Sequence, residues 1–243
     1  MATTPNASAP HPRSRTALIV GAGSGLSASL ARVFTHEGNM RVALAARNPD
    51  KLVPLAESLD AEVFACDASD RSQVDALFGS VEAGFGGPPD VVVYNPSTRL
   101  RGAFTDLDPG AVAHALSVTA FGGFLVAQAA VRGMLARGSG AILFTGASAS
   151  IKGYPQSAPF AMGKFALRGL AQSIARELAP KGIHVAHFVI DGAIRNPGRT
   201  EPAEAPDSML DPDAIARTYL HVIDQHRSAW TWEVELRPWV ERF

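Results

Sequence analysis

The chain has 243 residues, is 47% hydrophobic and carries a formal charge of −1. That length suffices for one well-buried α/β domain, and the near-neutral charge gives no electrostatic footing for nucleic acid. The single cysteine, Cys66, excludes an internal disulfide and a cysteine metal cluster, which fits a reducing, cytoplasmic setting.

Residues 1–14 are rich in Ala, Pro, Ser and Thr without an apolar centre, so they read as a disordered leader rather than a signal peptide, and the domain is expected over 15–243. Residues 16–20 are a β-branched run that ends in glycine, and residues 24–34 then place apolar side chains at helical spacing. The pattern predicts a strand, a tight turn and a helix. Further strands are expected at 41–45, 62–65, 90–94, 141–145 and 184–190, with helical stretches between most of them. Such runs describe a parallel sheet covered on both faces by helices, in a single α/β domain. Two helices should be long, 109–136 and 156–179, and their abundant Ala, Leu and Gly suit close packing at a subunit interface. No apolar run approaches the ~20 residues of a membrane helix, so no membrane contact is expected. From 195 to 212 the composition shifts to Pro, Glu, Ala and Asp, which predicts a long substrate-side loop. A helix at 214–225 and a strand at 230–236 follow. The tail, 237–243, brings Trp239 to join Trp230 and Trp232 in an apolar payload expected to dock on the domain.

Gly21-Ala22-Gly23-Ser24-Gly25-Leu26 sits between the first strand and first helix. Glycines there let the backbone approach a pyrophosphate, and the helix start offers free N–H donors. Asp67, at a later strand end, suits an adenine. Arg47 stands where an acid would hold a ribose 2′-hydroxyl, and a guanidinium there favours a 2′-phosphate. NADP(H) is the expected cofactor, with NAD(H) the alternative.

These residues, with Asp90-Val91-Val92-Val93-Tyr94-Asn95, Phe160-Ala161-Met162-Gly163-Lys164 and Val189-Ile190-Asp191-Gly192-Ala193-Ile194, make the chain resemble the short-chain dehydrogenase/reductase family over about residues 15 to 236. The resemblance implies a single Rossmann-type domain with a doubly wound parallel sheet flanked by helices, dimers or tetramers built through the two long helices, and a small-molecule substrate. It further implies cofactor contacts from Asn95, Lys164 and Ile194, and a catalytic set of asparagine, serine, tyrosine and lysine. Lysine falls on Lys164. Tyrosine falls on Phe160, asparagine on Thr119 and serine on Ala147, so three of the four positions depart. Ser27 replaces the last glycine of the phosphate turn.

With the tyrosine gone, four side chains are candidates for its role: Ser148, Ser150, Tyr154 and Asp191. Ser148 and Ser150 can hydrogen-bond a substrate oxygen, and Tyr154 is a phenol near the pocket wall. Asp191 stands where the family has proline before Gly192; it can deliver a proton, attract a cationic substrate, or pair with Arg195 or Lys164. Tyr94 is expected against nicotinamide or ribose. Phe160, Phe121, Phe104 and Met162 are expected to make the pocket apolar. His184 and His187 are expected on one face of the sixth strand as structural residues, and no metal site is expected. Two functional readings follow. One is an NADP(H)-dependent oxidoreductase with a non-standard proton donor, reducing a C=O, C=N or activated C=C bond of a small apolar molecule. The other is a catalytically degenerate nucleotide-binding protein or structural subunit.

Overall fold

Seven parallel strands form the spine of the chain, in the order Glu62–Ala65, Arg41–Ala46, Thr16–Val20, Val91–Tyr94, Gly140–Thr145, Ile183–Ile190 and Glu233–Leu236. A computed structural model describes residues 14–241. The expected leader, except Ser14, and the last two residues of the tail lie outside the described residues.

In chain order the elements are β1 (Thr16–Val20), α1 (Leu26–His36), β2 (Arg41–Ala46), α2 (Val53–Leu59), β3 (Glu62–Ala65), α3 (Arg71–Phe85) and β4 (Val91–Tyr94). They continue with α4 (Pro109–Leu116), α5 (Gly122–Arg137), β5 (Gly140–Thr145), α6 (Ala158–Leu178), β6 (Ile183–Ile190), β7 (Ala193–Ile194), β8 (Met209–Leu210), α7 (Pro212–Ile223) and β9 (Glu233–Leu236). Aspartates start three helices: Asp70, Asp108 and Asp211 accept amide N–H bonds from the first turns of α3, α4 and α7. Pro109 and Pro212 sit in two of those turns, where a missing N–H costs nothing.

Alternate residues of each strand feed two cores. Leu18, Val92, Phe144 and Val185 pack under α3, α5 and α6, while Ile19, Val93, Leu143 and Phe188 pack under α1 and α7. This is the doubly wound arrangement: helices cover both faces, and the strands' carboxyl ends form one open edge.

Several boundaries differ from the sequence reading. The helix expected at 109–136 carries a π turn, Ser117–Phe121, between α4 and α5. The stretch 109–137 is in fact long and apolar enough to cross a membrane, with a mean hydropathy of 1.6 in its best window. Leu125, Val126, Ala130 and Met134 bury its inner face in the core, as a central helix of a sheet protein must. The 195–212 loop is clipped at its ends, because β7 pairs in parallel with β8. The last strand is shorter than expected. Trp230 and Trp232 precede it and close the sheet edge, Trp230 by stacking on His184 at 4.7 Å and Trp232 beneath the Arg168 guanidinium. Trp239 does not dock as expected: it is 82% exposed and only donates its indole N–H to Asp207.

Candidate active site

The carboxyl ends of the strands border two cavities that share Asn95 and Ser97. The outer one, about 610 Å³, lies over β1, β2 and the end of β3, and the inner one, about 250 Å³, lies over β5 and β6. Together they make one groove from Arg47 to Lys164.

Gly21 begins the turn after β1 with φ +79°, and a Cβ there would stand 2.6 Å from the Pro96 nitrogen, so only glycine fits. The amides of Gly21 and Ala22 bond the Ala45 carbonyl, which welds the turn to β2. The segment from Gly23 to Leu26 then leads into α1. Gly25 and Leu26 line the inner cavity, whereas Gly23 and Ser24 belong to neither lining. Ser27, which replaces a glycine, joins the two halves: its Oγ donates to the Gly21 carbonyl and accepts from Asn95 Nδ2 at 2.7 Å.

Arg47 and Asp67 both line the outer cavity. The Ser69 hydroxyl and amide bonds, followed by the Arg47 and His114 charges, hold the Asp67 carboxyl below the usual range.

In the inner cavity α6 presents Phe160 and Lys164 one turn apart. Lys164 is buried, and its Nζ donates to the Thr145 carbonyl at 2.7 Å. Burial and then the Arg99 charge bring its pKa down to about 7. The Phe160 ring centroid lies 6.0 Å from Lys164 Nζ and 5.0 Å from the Arg99 guanidinium carbon. Ala147 and Ile194 complete this part of the wall, with Arg199 from the β7–β8 loop. Neither Phe160 nor Ala147 offers a hydroxyl, so the position of the expected acid is apolar and its flanks are cationic.

The other proton candidates lie outside the inner lining. Asp191 is buried, but its carboxylate accepts from Lys152 Nζ at 3.1 Å rather than from Arg195 or Lys164. Arg195 pairs instead with Asp211. Tyr154 is 40% exposed, with Lys152 Nζ 5.9 Å from its ring. Ser148 opens the short turn after β5, where its carbonyl accepts from the amides of Ile151 and Lys152. Ser150 is fully buried and accepts from the Ala147 amide.

Three further expectations are corrected. Tyr94 does not face the cofactor groove; it is completely buried against Phe144 and donates its hydroxyl to the Val118 carbonyl, because Gly122 lets the long helix close over it. Phe104, Phe121 and Met162 are exposed and absent from the inner lining, leaving Phe160 as its aromatic group. His184 and His187 do not share a face, since a separation of three residues turns them to opposite sides of a strand.

His187 belongs to a buried chain that the sequence did not reveal. Its Nε2 meets Ser150 Oγ at 3.3 Å, its Nδ1 meets a Glu233 oxygen at 3.1 Å, and Arg168 grips the same carboxylate with two bonds. The signal was absent because the four residues come from four separate elements. Arg99 and Arg199 were missed for a similar reason: both stand in loops whose course is set by the fold. Ser27 was visible as a departure, but its bridging bonds were not. Among the described residues, no cluster of His, Cys, Asp or Glu could hold a metal ion.

Comparison with known proteins agrees with this geometry. Residues 15–202 match the family model described as short chain dehydrogenase. A crystal structure of a short-chain dehydrogenase from Rhodopseudomonas palustris is 33% identical, with a TM-score of 0.80, covering 94% of this chain and 100% of that one. A metagenomic short-chain oxidoreductase solved in complex with NADP is 25% identical with a TM-score of 0.80, over 92% of this chain and 97% of that one. An uncharacterized oxidoreductase of Staphylococcus aureus strain N315 is 28% identical over 230 residues, 92% of this chain and 97% of that protein.

Proposed function

The chain belongs to the short-chain dehydrogenase family, and from that membership we propose that it is an NADP(H)-dependent oxidoreductase with a non-standard active site, reducing a C=O, C=N or activated C=C bond of a small molecule. The observation that carries the reading is the continuous groove with Arg47 at one end and Lys164 at the other. The residues present fit the dinucleotide. The turn at Gly21 admits no side chain, and Arg47, on the wall of the outer cavity, offers a guanidinium fork for a 2′-phosphate. Gly21, Gly23, Ser24, Gly25 and Leu26 would hold the pyrophosphate, Asp67 the adenine, and Asn95, Lys164 and Ile194 the nicotinamide riboside. NAD(H) is the alternative cofactor. When bound, the cofactor supplies or accepts the hydride.

Lys164 provides the proton in this reading. It lines the inner cavity and titrates at about 7, so its ammonium form can give up a proton at neutral pH, which an arginine does not do. Asp191, through its bond to Lys152, positions the loop after β5 that carries Ser148 and Tyr154. The exposed Phe121, Phe124 and Phe165 on the two long helices support self-association as a dimer or tetramer, and the lone reduced cysteine supports a cytoplasmic location.

The test is titration with NADPH and NADH, then a screen of NADPH oxidation against ketones, cyclic imines and activated alkenes. Tight NADPH binding with turnover in one class is expected, and Lys164→Met should abolish that turnover. The absent hydroxyls at Phe160 and Ala147 favour a second reading, a degenerate nucleotide-binding protein or structural subunit. NADPH binding without turnover across the panel would select it, and failure to bind either dinucleotide would sink both.

A further inference from the structure

The inner cavity is lined by three cationic side chains, Arg99, Lys164 and Arg199, and by no acidic one. Several arginines elsewhere in the fold are compensated: Arg41 pairs with Glu62, Arg137 with Asp90, Arg168 with Glu233 and Arg217 with Glu37. In the β7–β8 loop itself, Arg195 pairs with Asp211, yet four residues later Arg199 lines the cavity. Among the described residues, no carboxylate forms an ion pair with Arg99 or Arg199. Burial, then the charges of Arg199 and Arg101, lower the pKa of Arg99, and Arg99 in turn contributes to lowering that of Lys164. Arg99 and Arg199 stand exposed at the mouth of the cavity above the buried Lys164, and an anion entering between them relieves this crowding of like charge.

We infer that the inner cavity recognises a substrate carrying a carboxylate beside its reducible bond, with Arg99 and Arg199 gripping the carboxylate above the Phe160 ring. The inference rests on the proposed oxidoreductase reading for the reducible bond, and on the cavity alone for the carboxylate. Two guanidinium forks arrive from different loops, one after β4 and one after β7, which suits a clamp on a planar oxyanion. The cofactor has its own cation at the far end of the groove, where Arg47 lines the outer cavity. Asn95, Lys164 and Ile194, which would hold the nicotinamide riboside, line the same cavity of about 250 Å³, so the acid is left only the mouth between Arg99 and Arg199 and must be short. The clamp also replaces the expectation of an apolar pocket, and an iminium substrate would meet repulsion here rather than attraction.

Calorimetric titration with pyruvate and benzoylformate, each against its methyl ester, tests the clamp on the ligand-free protein and on the NADP⁺-loaded protein. At least one acid should bind about tenfold or more tightly than its ester, and added salt should weaken the acid alone. Arg99→Met and Arg199→Met should each remove the preference, while Arg99→Lys should retain part of it. Equal binding of acid and ester, or no binding of either acid, would overturn the inference. So would variants that lose NADPH affinity in place of acid affinity, because the arginines would then serve the cofactor's phosphates. NADPH binding is measured separately, so failure of the cofactor reading is distinguishable from failure of the clamp.

Discussion

A phenyl ring at position 160 removes a proton donor and leaves a flat apolar surface with Arg99 against it and Lys164 nearby. Restoring the phenol by Phe160→Tyr should yield little ketone reduction, because Ala147 offers no hydroxyl to hold the substrate oxygen. Phe160→Tyr with Ala147→Ser should raise the rate by about 10²-fold, read from NADPH consumption. Lys164 makes a further prediction through its proton. Its pKa is about 7 in the fold against roughly 10.4 in an unfolded chain, so between these values the unfolded state binds a proton that the native state does not. Stability should therefore rise with pH across that window, and urea denaturation should show the rise lost in Lys164→Met. Reduction that draws on the ammonium should fall as pH climbs past the same group, at a value moved upward when cofactor phosphates lie nearby. Arg47→Asp should shift preference from NADPH toward NADH by about tenfold or more, since a carboxylate repels the 2′-phosphate; competitive binding of the two dinucleotides measures it. That Gly21, Arg47, Asp67 and Asn95 line the groove was legible beforehand because they stand at fixed offsets from strand ends, and Lys164 because it follows Phe160 by one helical turn. Arg99 and Arg199 were not, since no spacing in the chain shows where two loops converge. Tyr94 misled for the converse reason: it ends a strand at the groove, but its ring points into the core.

At the level of elements, the Ser150–His187–Glu233–Arg168 chain ties the turn after β5 to β6, β9 and α6. Gly146 lies directly over His187, and a Cβ there would stand 2.4 Å from its Nε2, so the end of β5 rests on the imidazole. Burial, outweighing the attraction of Glu233, drives the His187 pKa down to about 4. The unfolded chain takes up this proton near pH 6.5 and the native one does not, so stability should fall as pH drops from about 6.5 to 4. His187→Gln should flatten that part of the stability profile. Glu233→Gln leaves Arg168 and His187 without their carboxylate and should cost about 1–3 kcal/mol in chemical denaturation. Nearly every helix and strand could be read from hydrophobic periodicity. The π turn could not, because one wide turn scarcely disturbs the apolar pattern of a long helix. The strands β7 and β8 were hidden because each is only two residues long, at either end of a proline-rich stretch.

For the whole molecule, the strand order places every strand's carboxyl end along one rim, and the groove follows from that topology. The outer faces of the long helices leave Phe121 and Phe124 stacked at 6.1 Å and exposed by 51% and 41%. Burying such a patch against another copy is the expected use, so Phe124→Arg should lower the mass found by sedimentation equilibrium while leaving the helical spectrum intact. The β7–β8 clip has a consequence of another kind. It fastens both ends of the segment that carries Arg199, with Ala193 against Met209 and Ile194 against Leu210. The residues between contribute no strand to the seven-stranded sheet, so a different insert hung from the same two anchor points should change the inner cavity while leaving the sheet and the outer cavity as they are.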